Sequence, residues 1–337
     1  MGRIAKPFFP WVGGKERLLP YISQLLPRRA PRSLEICGGS GALTLGLGAG
    51  FAPLRVYNDY DADLANLFCC VRDRLLALLQ ELGFLPIHSR ADFELTLRFL
   101  DHSYDPAEYL EEELEIAEKY FPPMDREEVQ RILTGRAEMP DVQRAAAYYL
   151  SIRYSYSGTG DSFGGRSVEL RRFFRLIRLA SDVLQGVVVE CKDCCDVVRQ
   201  YARPGAVIYA DPPYRESEQQ YDVDFGLRDH VRLHDCLSAP AMRDCHIVVS
   251  YNDHPFVRDL YTDFYIVGFA RPNSMSHEEG SIYHELLLTN FDPAPMLGRQ
   301  LSLLDLSAQA PGGSPELRIL AAPRKRLPKV WDWPVNQ

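Results

Sequence analysis

Four consecutive residues, Asp211-Pro212-Pro213-Tyr214, join a carboxylate, two ring-locked backbones and an aromatic face. Each proline fixes its own φ and lacks an N–H, so the carbonyls of Asp211 and Pro212 are held stiffly and stay out of helix. Two oxygen acceptors and a ring then converge on one point. That set suits a flat, amino-bearing heterocycle, with the acceptors on its exocyclic NH2 and Tyr214 stacked on its ring. Such an amine is a poor nucleophile because its lone pair is delocalised. Acceptors on both N–H bonds let the pair localise and point at an electrophile. A Pro-rich turn capping the next helix is the plainer reading of an isolated Asp-Pro-Pro-Tyr.

The elements around the tetrapeptide favour the first reading. Ala206-Val207-Ile208-Tyr209-Ala210 is a short apolar run of the kind that forms a buried parallel strand. Asp211 therefore sits just past a strand's carboxyl end, where open α/β sheets bind ligands. A second strand, Leu34-Glu35-Ile36, runs into Cys37-Gly38-Gly39-Ser40-Gly41-Ala42 and then an apolar helical stretch, the entry of a nucleotide-binding βαβ unit. A third, Leu54 to Tyr57, ends in Asn58-Asp59, about 20 residues past the first glycine, where such folds set an acid against ribose hydroxyls. Thr44 stands where a dinucleotide fingerprint needs Gly or Ala, so an adenosine ligand fits better than NAD. Near the start, Lys6-Pro7-Phe8-Phe9-Pro10-Trp11-Val12-Gly13-Gly14-Lys15 precedes an amphipathic run, Leu18 to Leu26, read as a helix. Glycines and a lysine before a helix make a loop ready for a phosphate or a carboxylate.

Further strands are expected at Val187-Val188-Val189, which leads into Cys191-Lys192-Asp193, at His246 to Tyr251, at Phe264 to Val267 and at Glu285 to Asn290. A helix is expected over Asp61 to Leu82. Between 90 and 155 the periodicity is helical only, broken at Pro106, Pro122-Pro123 and Pro140, which marks an inserted block. It ends in Tyr148, Tyr149, Arg153, Tyr154 and Tyr156, followed by a Gly/Ser-rich turn up to Arg166. Aromatics interleaved with arginine suit unstacked bases and phosphates, and the same spacing suits helix packing. Past Phe291 the composition turns to Pro, Gly, Ser and Ala before a basic tail with Trp331 and Trp333. The expected fold is α/β, a Rossmann-like sheet of about seven strands carrying a mainly helical insert. Its boundaries are 1–85 and 166–292 for the sheet domain, 86–165 for the insert and 293–337 for linker and tail.

The 337 residues, 46% hydrophobic and 25% charged, are those of a globular protein, and no apolar run is long enough to cross a membrane. With no apolar leader at the amino terminus, the expected location is the cytoplasm. Eight cysteines without framework spacing agree with reduced thiols. Cys191-x-x-Cys194 has no matching second pair, and His230 and His234 lack a third ligand, so no metal site is expected and the histidines are read as solvated or capping groups. The net charge of −8 speaks against a nucleic-acid partner only until its distribution is considered. Pro86 to Asp141 holds 15 acidic against 6 basic residues, a balance of −9 that leaves +1 for everything else. Basic clusters remain, notably Arg166, Arg171, Arg172, Arg175 and Arg178, and phosphate binding depends on such local patches.

Taken together, these blocks resemble the Dam-like (D12 class) adenine-N6 DNA methyltransferases over roughly residues 5–292, least in the insert. The family's K-P-F-x-x-W-x-G-G-K is nearly complete from Lys6 to Lys15. Its E-P-F-x-G-x-G is Glu35 to Gly41 with Ile36 and Cys37 in place of Pro and Phe, its D-P-P-Y is Asp211 to Tyr214, and its closing E-L-L-I-T-N is Glu285 to Asn290. The motif order resembles that of the α group, in which the insert recognises the target. The resemblance implies S-adenosyl-L-methionine as cofactor, held by Trp11, Lys15, Asp59 and Asp211, with backbone access at Gly13, Gly39 and Gly41. Glu35, Cys37 and Asp193 match the same cofactor motifs. Asp211, Pro212 and Tyr214 become catalytic, and Arg153, Tyr154, Tyr156, Arg166, Arg171 and Arg172 contact DNA. The implied partner is DNA, a duplex with a flipped adenine or a single strand, and a cognate restriction nuclease is compatible with it. An N4-cytosine enzyme, a methylase of RNA or protein glutamine and an inactive DNA-binding homologue share parts of this pattern.

Overall fold

A computed structural model describes residues 3–11, 13–84, 89–101, 115, 141–155, 162–164, 170–214, 225–272, 282–297 and 317–324. The chain divides into two compact units, one of residues 1–2, 15–60 and 186–337 and the other of 3–14 and 61–185.

The first unit is built on one eight-stranded sheet: β1 (Arg32–Glu35), β2 (Leu54–Asn58), β3 (Val187–Glu190), β4 (Val207–Ala210), β5 (His246–Asn252), β6 (Tyr265–Pro272), β7 (Ile282–Thr289) and β8 (Arg318–Ala321). Their order is β3-β2-β1-β4-β5-β7-β6-β8. The first five strands pair in parallel, and β7 enters antiparallel between β5 and β6. Seven of the eight are the strands expected from sequence. The eighth corrects the reading of the tail, since residues 318–321 pair antiparallel with β6 and form the edge of the sheet.

Alternation explains the continuous apolar runs of the central strands, because successive side chains feed opposite faces. Ile208, Ala210, Ile247 and Val249 join one core under the Cys194–Tyr201, Leu227–Leu237 and Pro255–Leu260 helices. Val207, Tyr209 and Val248 join the other, with Leu18, Ile22, Leu25 and Leu43. The first helix is only four residues, Leu19–Ile22, flanked by 3-10 turns, rather than one run from Leu18 to Leu26. His230 and His234 are fully buried, not solvated: His230 Nδ1 lies 2.8 Å from Tyr251 Oη, and His234 Nε2 lies 2.7 Å from Asp263 Oδ1. Their spacing of four puts both on the core face of the Leu227–Leu237 helix.

In the second unit, the Ala62–Asp73, Leu75–Phe84 and Arg90–Leu100 helices pack on Val142–Tyr154, and Arg171–Leu184 packs on the first two. The expected single helix from Asp61 is thus two, parted at Arg74, and Asp61 caps the first by accepting from the amides of Asp63 and Leu64. Sequence spacing set the sheet domain's limits at 85 and 166. Contacts set them at 60 and 186, because the helices after β2 and before β3 pack on one another within this unit. No helix among the described residues is long and apolar enough to cross a membrane.

Candidate active site

The site begins with the turn after β1. Ile36 N donates to Tyr209 O of β4, and Gly38 N donates to Asn58 O of β2, so the turn is stitched to both neighbours. A side chain at Gly38 would put its Cβ 2.2 Å from the Tyr57 ring, so only glycine fits this close approach. Gly39 and Gly41 have φ of 48° and 66°, and the backbone N–H of Gly39 donates to Asp59 Oδ2 at 2.7 Å. Tyr57 Oη donates to the Gly39 carbonyl at 2.8 Å, which fixes the turn from its other side. Asn58 ties the strand ends together, donating to Ile36 O and Lys192 O and accepting from Lys192 N.

Glu35 explains how this turn feeds a helix. The Ala42–Leu47 helix starts at Gly41, which has no side chain to cap it, and Glu35 supplies the cap from the strand. Its two carboxylate oxygens accept from Leu43 N at 3.0 Å and Thr44 N at 2.8 Å. Burial lifts its carboxyl from 4.5 to about 7, against the pull of those bonds, and the charge of Asp211 adds to the rise. Glu35 therefore holds the loop rather than offering a free oxygen to a ligand, and Thr44 occupies the third-glycine position as the amide that Glu35 grips.

Asp211 follows β4 as the sequence requires. Its Oδ1 accepts from Ser250 Oγ on β5 at 2.7 Å, and its Oδ2 lies 2.8 Å from Lys15 Nζ. Burial raises its pKa, while the Lys15 charge and the bonds from Lys15 and Ser250 oppose the rise. Tyr214 Oη donates to Glu285 Oε2 at 2.9 Å, and its ring stacks on Tyr251 with centroids 6.1 Å apart. Lys15 Nζ stands 4.5 Å from the Tyr214 ring centroid, a cation over the aromatic face. Pro212, between these groups, is buried.

Because β2, β1 and β4 are adjacent and parallel, Asp59, the Gly39 turn and Asp211 all lie at carboxyl ends on one edge of the sheet. Two expected cofactor residues are otherwise engaged. Asp193 caps the Cys194–Tyr201 helix through Cys195 N and pairs with Arg232 at 2.7 Å, and that guanidinium holds its carboxyl below the usual range. Cys37 packs against the core and touches the Cys194 thiol. Asp193, Cys194 and Cys195 place one ligand atom each within 4.8 Å of one another, a grouping that the Cys191-x-x-Cys194 spacing did not single out.

Trp11 and Gly13 belong to the helical unit. The Trp11 ring meets Phe9 edge-on at 5.8 Å, and its carbonyl accepts from Gly14 N at 2.9 Å. There the expected DNA contacts need correction. Tyr154 is 4% exposed, so its ring offers no face to a base. Arg153 turns inward, donating to Phe8 O and Tyr149 Oη with its guanidinium 3.6 Å from the Phe173 centroid. Helix packing is what their spacing encodes. Arg172, Arg175 and Arg178 are exposed along one face of the Arg171–Leu184 helix, opposite the buried Ile177, Ala180 and Val183. The side chain of Arg171, and Tyr156 and Arg166 altogether, lie outside the described residues.

The sequence reading missed Ser250, Tyr209 and Glu285 as site groups. Their signal was available as polar atoms inside strands otherwise made of Val, Ile and Leu. A groove of about 840 Å3, lined in part by Val198, Ala202, Arg203 and Arg228, lies near the amino ends of β4 and β5; of the groups above it includes Arg232, and neither Asp211 nor the Gly39 turn.

Comparison with known proteins gives the family. The model of the D12 class N6 adenine-specific DNA methyltransferases matches residues 11–275. The chain is 25% identical over 307 residues to the type II methyltransferase M1.LlaDCHI of Lactococcus lactis subsp. cremoris, covering 85% of this chain and 95% of that protein. It is 23% identical over 274 residues to a DNA adenine methylase of Haemophilus influenzae, covering 76% and 82%. With a match over most of its length, the chain belongs to the D12 class of N6 adenine-specific DNA methyltransferases.

Proposed function

We propose that the protein transfers the methyl group of S-adenosylmethionine to the N6 amine of an adenine flipped out of duplex DNA, at the Asp211 end of β4. The observation that carries this reading is the common edge shared by the Gly39 turn, Asp59 and Asp211. The donor fits the charges present. Glu285 raises the cost of ionising Asp211, and Asp211 raises that of Glu35, so this end is rich in carboxyl groups. Such surroundings favour a positively charged sulfonium over a neutral ligand. When bound, S-adenosylmethionine supplies an electrophilic methyl group. Asp59 and the glycine turn hold its adenosine part, and the roles of Trp11 and Gly13 follow from their motif.

Asp211 and the Pro212 carbonyl accept the two N6–H bonds, which localises the amine lone pair toward the methyl group. Tyr214, held by Glu285 and Tyr251, stacks on the base. Burial makes Asp211 a better proton acceptor than a solvated aspartate once the amine has become cationic. Exposed arginines of the Arg171–Leu184 helix engage phosphates, and the helical insert reads the target. Eight free cysteines suit a cytoplasmic setting. The type II relative supports a restriction–modification role with a partner nuclease.

The test is methylation of a plasmid from a host without adenine methylation, followed by nucleoside mass analysis and long-read mapping. N6-methyladenine at one recurrent sequence is expected. N4-methylcytosine alone, or no transfer from a donor that binds, overturns the reading.

A further inference from the structure

We propose that Ser250, backed by Tyr209, is a positioning residue that sets the rotation of the Asp211 carboxylate and so selects which oxygen meets the substrate amine. This rests on the reading of Asp211 as the amine's acceptor.

The geometry is directional. Ser250 Oγ lies 2.7 Å from Asp211 Oδ1, 3.4 Å from Ala210 O and 2.8 Å from Tyr209 Oη. A hydroxyl has one proton to give, and the short contact to a carboxylate is the stronger use of it. Tyr209 must then donate to Ser250, which makes a chain of two hydrogen bonds ending on Oδ1. Each bond polarises the next. Tyr209 and Ser250 are both buried, at 1% and 0% exposure, on adjacent strands whose register pairs Tyr209 with Val248. Parity then puts Ser250 on the same face as Tyr209, so the chain is fixed by the sheet itself.

With Oδ1 tied to the sheet, Oδ2 is the oxygen on the side of Lys15 and the Tyr214 ring. Lys15 Nζ makes two of the three contacts that the reading assigns to an adenine, one at 2.8 Å to Oδ2 and one over Tyr214 at 4.5 Å. Oδ2 is therefore the amine's acceptor, and Lys15 marks its place. Loss of the Ser250 proton donor frees the carboxylate to rotate and removes a bond that favours its ionised form.

The test uses the full chain with wild type, Ser250→Ala, Ser250→Cys and Tyr209→Phe in single-turnover methylation across pH. Donor affinity is measured separately by equilibrium titration. The groups facing Asp211 are Lys15, Glu35, Tyr209, Tyr214, Ser250 and Glu285, and only one is altered in each variant. Ser250→Ala is expected to lower the rate constant by roughly tenfold to a hundredfold, the worth of a hydrogen bond to a charged group. Its acid limb moves to higher pH, since Asp211 loses a bond to its ionised form, and donor affinity stays within about twofold. Ser250→Cys keeps a weak donor and falls between, and Tyr209→Phe shifts the limb the same way by less. An acid limb at the wild-type position in Ser250→Ala overturns the proposal, whatever the rate and stability of that variant. A wild type without transfer instead sinks the proposed function itself.

Discussion

The carboxyl edge of the sheet and the Val142–Tyr154 helix carry comparable stocks of polar and aromatic side chains, and the fold uses them oppositely. At the edge, Gly39, Asp59, Asp211 and Lys15 come from separate stretches of sequence and gather at the strand ends. Along the helix, Tyr149, Arg153 and Tyr154 turn inward, and Arg153 ends against backbone and rings. Residue type alone does not separate the two. Strand ends stop abruptly and leave side chains facing the next turn, whereas a central helix offers most of its surface to neighbours.

Arg153→Ala sharpens the contrast first. It should cost about 2–4 kcal/mol, from the missing bonds to Phe8 and Tyr149 and a desolvated cation–π interaction with Phe173, read by denaturant unfolding. The salt dependence of DNA binding should not change. A stable variant with a flatter salt slope would return Arg153 to the DNA-binding set.

Next in size is Glu35→Gln. An amide can accept from only one of Leu43 N and Thr44 N, and its NH2 faces the other donor, so a loss of about 1–3 kcal/mol is expected. A pH signature accompanies it. Glu35 keeps its proton in the native state up to about 7, while in the unfolded chain it loses it near 4.5. Between those values the native state binds the extra proton, so this contribution to stability falls as pH rises. The advantage of wild type over Glu35→Gln should fall by roughly 3 kcal/mol across that window, enough to cancel or reverse it near the upper end. Thermal unfolding at several pH values checks it, and a constant difference would mean that Glu35 is ionised throughout.

The smallest effect concerns the exposed stripe. Replacing Arg172, Arg175 and Arg178 by glutamine should weaken DNA binding by roughly tenfold at low salt and reduce the slope of log K against log salt by about 1 for each phosphate no longer neutralised. Stability should be unaffected. Unchanged slopes would move DNA binding away from this helix.

Much of the sheet was legible because each strand's apolar run is short and bounded, and Asp211 stands where such a run ends. Glycines announced the turn after β1, and the acid about 20 residues on announced Asp59. The functions of Glu35 and Ser250 were not legible, since one caps a helix from a strand and the other depends on register between β4 and β5. The split at Arg74 was hidden because apolar periodicity continues through it. Residues 318–321 gave no signal because an edge strand with three exposed residues resembles linker.

The most direct test of the catalytic assignment is a single-turnover measurement on Asp211→Ala with labelled donor and DNA, alongside donor affinity and unfolding on the same preparation. The expected result is methyl transfer reduced by at least about 10³-fold in a folded protein that still binds DNA. Transfer near the wild-type rate would show that the carboxylate at the end of β4 is not the group that receives the amine.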